Sequence, residues 1–237
     1  MASMGGSRGD DAADRRHAGA GQAPSAAADR IAEELARLGG SAGPGERARQ
    51  RLADALRQLG AVDRAVYEAI AGVPTPSLDR AMRRLSNSAN YSKLWLAIAA
   101  GLALTGPSGR RAAARGVLAV AVTSAAVNLG MKSASGRHRP DRTEAGVPDS
   151  RHVKMPSSAS FPSGHSASAF AFATAISRDN PWLATALQFL AGAVAYSRVH
   201  TGVHYPGDTV AGALIGACTG QTVSAVVDRS LARRRTR

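Results

Sequence analysis

The residues of this 237-residue chain with the means to do chemistry lie in three short stretches. They are Lys132 with, after six intervening residues, Arg139-Pro140; Pro162-Ser163-Gly164-His165; and Ser197-Arg198 followed by His204 and Asp208. Together they supply three cations, two imidazoles and a carboxylate four residues beyond one of the imidazoles. A phosphoryl group in transfer spreads negative charge over three equatorial oxygens, so its catalysis is mostly positioning plus preorganised positive charge. Arg139 and Arg198 offer planar forks that each grip two oxygens, and Lys132 adds a point charge. A helix starting at Gly164 or His165 would present free N–H groups that, with Ser163, make an anion seat, and glycine lets the backbone approach closely. Histidine serves as nucleophile or proton donor near neutral pH. Asp208, at i+4 from His204, could orient that imidazole and stabilise its charged form, which assigns attack on phosphorus to His204 and protonation of the leaving alkoxide to His165. No cluster has metal-ligand spacing, so the site is expected to work without a metal or cofactor.

Each residue also has a plain structural reading. Lys132 alone would be a snorkelling anchor at the end of an apolar helix, Pro-Ser-Gly a turn before a helix, and Asp208 a helix N-cap. His17, His138 and His152, with Arg137 and Arg142, read as solvated loop residues. His200, two residues past Arg198, reads the same way or as part of the pocket rim.

The three stretches together resemble the signature motifs of the type 2 phosphatidic-acid phosphatase superfamily. That family includes membrane lipid phosphatases, soluble bacterial acid phosphatases and vanadium haloperoxidases. The resemblance covers roughly residues 90–228, with the motifs in family order, and the surrounding text is most similar to actinobacterial members of the membrane branch. It implies a general acid at His165, a phosphohistidine at His204 supported by Asp208, and phosphate ligands at Lys132, Arg139 and Arg198. The activity implied is hydrolysis of a lipid phosphomonoester or diphosphate, such as phosphatidic acid or a polyprenyl phosphate. A soluble phosphatase, a vanadate-dependent oxidase or a silent lipid-phosphate-binding module on the same scaffold are the alternatives; a pure binder would need neither both histidines nor Asp208.

Composition favours the membrane. There are 30 Lys+Arg against 17 Asp+Glu, and the excess is uneven: nine basic and eight acidic residues in 1–60, against 21 and nine afterwards. No nucleic-acid motif accompanies the charge and aromatics are 4% of residues, so anionic lipid headgroups and a phosphate substrate account for it, and no nucleic-acid partner is expected. The single cysteine, Cys218, sits in an apolar run and reads as a packing residue.

The elements that must position these groups are all helical. Residues 1–25 lack apolar periodicity and are expected to be disordered. An amphipathic leader over 26–89 carries apolar stripes at Ile31, Leu35, Leu38; Leu52, Leu56, Leu59; Val62, Val66, Ile70; and Leu78, Met82, Leu85, for helices that lie on the membrane or cover the core. Five charge-free stretches follow in a core over 90–228: Leu94 to Gly109, Gly116 to Met131, Met155 to Ser177, Asn180 to Ser197 and Thr209 to Val227. Each is near the ~20 residues a span requires, and buried helices of a soluble domain give similar patterns. Gly212, Gly216 and Gly220 repeat at four-residue spacing, which lets helices approach closely in a bilayer. A basic tail, 229–237, ends the chain. If that tail is cytoplasmic, residues 106–115 and 178–181 share its side, and all three motifs reach the extracytoplasmic face of a multi-pass, membrane-embedded all-α bundle.

Overall fold

A computed structural model describes residues 43–235, so the expected disordered tail, the Ile31–Leu38 stripe and the last two residues lie outside it. Of two compact units, 1–55 and 56–237, the first contributes here only the exposed start of a helix. The described residues form helices and loops without strands: α1 (Pro44–Gly72), α2 (Pro76–Ser88), α3 (Lys93–Ala103), α4 (Pro107–Ala125), α5 (Lys132–Ser135), α6 (Gly164–Ala175), α7 (Pro181–His200) and α8 (Pro206–Arg235). A π-helical turn, Ala126–Met131, joins α4 to α5. Proline opens α2, α4 and α7, where its missing N–H costs nothing.

Helix α6 is the centre of the second unit. From Ser166 to Ile176 every residue except Phe170 is buried, and the run is mostly Ala and Ser, so neighbours can approach it on all sides. On one side is α8, whose Gly212, Gly216 and Gly220 face the carbonyls of Ser163, Ala167 and Ala171. A Cβ on Gly220 would lie 2.7 Å from the Ala171 oxygen, and the other two would come closer still. The glycine repeat is therefore a packing seam within the chain. Gly116 of α4 likewise takes the ring of Phe172, which packs with Trp95 of α3 in the main apolar cluster.

The five apolar stretches correspond to α3, the α4–α5 run, α6, α7 and α8, but with different lengths. Among the described residues, two helical runs, Pro107–Ser135 and Pro206–Arg234, are long and apolar enough to cross a bilayer. The 11 residues of α3 rise only about 16 Å, because Gly106, at φ 104, breaks the chain before Pro107; residues 155–163 of the third stretch form a loop rather than helix. The outer surface is nevertheless apolar, with Leu129 82%, Trp182 87%, Phe189 77% and Leu214 63% exposed. Cys218 also lies exposed on α8 rather than packed.

The leader stripes face outward only in part. Leu52, Leu56, Leu59, Val62, Val66 and Leu78 are exposed, whereas Ile70, Met82 and Leu85 are half-buried, and α1 turns Asp63, Tyr67, Ile70 and Ala71 inward. Helix α2 buries Asp79 and Ser86. Sequence periodicity finds the most apolar face, whereas these helices cover a polar site.

Candidate active site

The C-terminal end of the α4–α5 run, the start of α6, the end of α7 and the start of α8 meet at one end of the bundle. The loop from Gly136 to Ser163 closes over them. The π-helical turn directly precedes Lys132, whose Nζ donates to Ser158 Oγ at 3.2 Å; a Cβ on Gly164 would lie 3.7 Å from that Nζ. Gly164 opens α6, and Ser163 is its N-cap: its buried Oγ accepts from the Ser166 N–H, and its own N–H donates to the Asp208 carbonyl at 2.9 Å.

His204 lies on the α7–α8 connection, 1% exposed. Its Nδ1 is 3.5 Å from Asp208 Oδ2 and 3.4 Å from Ser160 Oγ, while Nε2 stands 3.3 Å from Arg139 Nη1. The carboxylate therefore fixes the proton on Nδ1 and leaves the Nε2 lone pair facing the cations. Asp208 is fully buried and well supplied, accepting from the Tyr205 N–H at 3.0 Å, from Ser160 Oγ and from Arg137 Nη1 at 2.7 Å. Burial first, then the charges of Arg139 and Arg198, push the His204 imidazole down to about 4 against the opposing pull of Asp208, so it is neutral at ordinary pH.

Arg139 is held by loop carbonyls: Nε donates to Ser158 O at 2.9 Å and Nη1 to Val203 O at 2.7 Å. Arg198, 1% exposed, gives one Nη1 to Ser86, and its Nε finds no hydrogen-bond partner among the described residues. A buried guanidinium with an idle donor is costly unless an anion arrives. His165 holds its Nε2 2.9 Å from Asn90 Oδ1. Lys132, Gly164 and His165, with Asn90, Asn128, Ser168 and Lys154, line a cavity of ≈ 550 Å³. All eight residues read from the motifs thus converge on one end of the bundle, Ser163 as a cap rather than with its hydroxyl free.

Partners from outside the motifs include Asp63, Ser86, Asn90, Ser158 and Ser160. Two arginines read as solvated loop charges are instead anchored. Arg137 bridges Asp208 and Asp63, and Arg142 donates to Val153 O at 2.9 Å and Gly202 O at 3.3 Å. His200 is neither exposed nor on a rim: it is buried, its Nε2 2.8 Å from Asp79 Oδ1, beside the fully buried Arg151 that pairs with the same oxygen at 2.7 Å. Hydrogen bonds from Thr75, His200 and Arg151 outweigh the burial that would raise Asp79, and hold its carboxyl below its ordinary range.

The family model of the PAP2 superfamily matches residues 113–231. A decaprenylphosphoryl-5-phosphoribose phosphatase of Mycolicibacterium smegmatis is 38% identical over 68% of this chain and 84% of that protein. Its namesake from Mycobacterium tuberculosis is 34% identical over 65% and 83%. The crystal structure of a transmembrane PAP2-type phosphatidylglycerolphosphate phosphatase from Bacillus subtilis superposes with a TM-score of 0.54 at 24% identity, covering 73% of this chain and 87% of that one. That of Aquifex aeolicus LpxE gives 0.55 at 24%, covering 67% and 92%.

Proposed function

This chain belongs to the PAP2 superfamily, and from that premise we propose that it is a membrane lipid phosphatase that hydrolyses a polyprenyl-linked phosphomonoester through a phosphohistidine on His204. The observation that carries the reading is the buried pair of His204 and Arg198. A neutral imidazole aims Nε2 toward the cations, and an arginine beside it holds an unused donor. A phosphate monoester supplies what both lack, an electrophilic phosphorus and anionic oxygens.

Lys132, Arg139 and Arg198 grip the equatorial oxygens, and Nε2 attacks phosphorus. The P–O bond to the ester oxygen, the ribose 5-oxygen in a decaprenylphosphoryl-5-phosphoribose, breaks. Burial and the cations hold His165 below its ordinary range, so it takes up its proton beside the bound phosphate anion and gives it to that departing oxygen. The phosphorylated ring becomes cationic, and Asp208 at Nδ1 stabilises it. Water then attacks the phosphorus as His165 takes a proton from it; the N–P bond breaks and phosphate leaves. No step requires a metal. The preference for a polyprenyl tail comes from the mycobacterial relatives, whose names specify decaprenylphosphoryl-5-phosphoribose; the apolar outer surface of α7 and α8 would leave such a tail in the bilayer. In this reading the α4–α5 run and α8 cross the membrane, with the site at the extracytoplasmic face.

The purified chain in mixed micelles with EDTA should release phosphate from decaprenylphosphoryl-5-phosphoribose with a higher kcat/KM than from phosphatidic acid or p-nitrophenyl phosphate. Quenched turnover should trap an acid-labile, base-stable phosphoprotein in the wild type and none in His204→Ala. A trapped phosphoryl group in the variant would refute the nucleophile, and preference for p-nitrophenyl phosphate would refute the lipid.

A further inference from the structure

Asp63 lies on α1, fifty residues before the family match begins, yet both its oxygens are committed to the catalytic end. Oδ2 accepts from Arg137 Nη2 at 2.6 Å, and Oδ1 accepts from the Gly207 N–H at 2.6 Å in the first turn of α8, where free N–H groups favour an anion. The fit is close: a Cβ on Gly207 would fall 2.9 Å from Asp63 Oδ2, so a larger residue there would make the carboxylate shift. The other arm of Arg137, Nη1, reaches Asp208 Oδ1 at 2.7 Å, and its guanidinium stacks 4.6 Å from the centre of the Tyr205 ring. Tyr205 is held in turn by the edge of Tyr67, one turn beyond Asp63 on α1.

We propose that Asp63 is a positioning residue for His204, acting through Arg137 and Asp208; the inference rests on the reading of His204 as nucleophile. Arg137 paired with Asp208 alone would neutralise the carboxylate that the phosphorylated imidazole needs. With Asp63 on its other fork, the three groups sum to one negative charge. Arg137 then fixes the orientation of Asp208 without cancelling it, and the spare charge remains beside His204 Nδ1 when the ring turns cationic. Asp63 touches neither substrate nor His204, so its removal should slow the chemical step and leave phosphate binding intact.

Full-length Asp63→Asn, Arg137→Gln and the double variant should be assayed beside the wild type on the lipid phosphate that the wild type hydrolyses best. Asp63→Asn should lose about 10- to 100-fold in kcat, the usual cost of disturbing such a supporting partner. KM should stay within about twofold, since ground-state binding is untouched. The double variant should be no slower than Arg137→Gln alone, because Asn keeps an acceptor for the Gly207 N–H and the charge of Asp63 acts through that arginine. Wild-type kcat in Asp63→Asn, or losses that multiply in the double variant, would overturn the proposal. If Asp63→Asn does not fold, Arg137→Lys, which keeps the charge but cannot bridge two carboxylates, should show the same loss of kcat at unchanged KM, and wild-type kcat there would overturn it equally. A wild type that releases no phosphate from any lipid defeats the phosphatase reading and this inference with it; an active wild type beside an equally active Asp63→Asn defeats only the inference.

Discussion

Burial in a ring of cations holds the His204 imidazole neutral, and that has a consequence for stability. Its imidazole titrates near 6.5 in the unfolded chain and at about 4 in the folded one. Between those values the unfolded state binds a proton that the fold refuses. Stability therefore rises with pH through this window and is lost as pH falls, by on the order of 3 kcal/mol from this residue. Acidifying from about pH 7 to about pH 4.5 should lower the Tm of the wild type more than that of His204→Gln, which has no proton to gain. Equal drops would show that His204 is not held neutral. The residues gathered here were legible because each motif is local: Lys132, Arg139, His165, Arg198, His204 and Asp208 stand out by type and spacing once the three stretches are taken together with the family they resemble. Their supporters did not. Asp63, Ser86 and Asn90 meet the site across 74, 112 and 75 residues of chain, and such pairings leave no periodic trace. Arg137 and His200 were misread for the same reason, since their carboxylate partners lie on α1 and α2.

At the scale of the helix, glycines sort by what a methyl group would meet. Gly216 of α8 faces the Ala167 carbonyl so closely that any side chain must push α8 from α6, the central helix that carries His165. Gly192 of α7 has nothing within 4 Å of its missing Cβ. Overpacking a seam costs roughly 1–3 kcal/mol, whereas Gly→Ala at an open helical position gains roughly 0.5–1 kcal/mol. Gly216→Ala should thus lower Tm and reduce activity, while Gly192→Ala should leave Tm unchanged or raised. A Gly216→Ala protein as stable as wild type would mean that the seam yields. The four-residue glycine repeat was legible as a close-approach signal; that its partner is the Ala-rich α6 was not, because α6 carries no apolar face of its own to read. The leader stripes misled in the opposite way. Periodicity marks Val62 and Val66, but the inward positions one residue on, Asp63 and Tyr67, are the ones the site uses.

Across the whole molecule the two ends of the bundle differ in kind. The catalytic end holds Lys132, Arg139, Arg198 and the buried histidines. At the other end Arg115 reaches Asp179 at 3.2 Å and also pairs with Asp228, which Arg178 approaches at 3.7 Å, with Arg110, Arg111, Arg229 and Arg234 exposed nearby in sequence. Arginines that flank apolar helices outside any catalytic site follow the cytoplasmic side of a membrane. This charge asymmetry was legible in sequence, while the lengths of the spans were not, since glycine and proline at 106–107 and the loop at 155–163 shorten two of the five stretches. The orientation can be read with single cysteines in a Cys218→Ser background, which removes the exposed native thiol. Glu144→Cys sits on the exposed loop at the catalytic end, and Ser230→Cys is exposed near the end of α8. In intact cells a membrane-impermeant maleimide should label Cys at 144 and leave 230 unlabelled until the cells are lysed. Labelling at 230 with protection at 144 would invert the protein and require a substrate presented from the cytoplasm. Labelling at neither position before lysis would place both ends inside, so that α8 would pack on the membrane without crossing it.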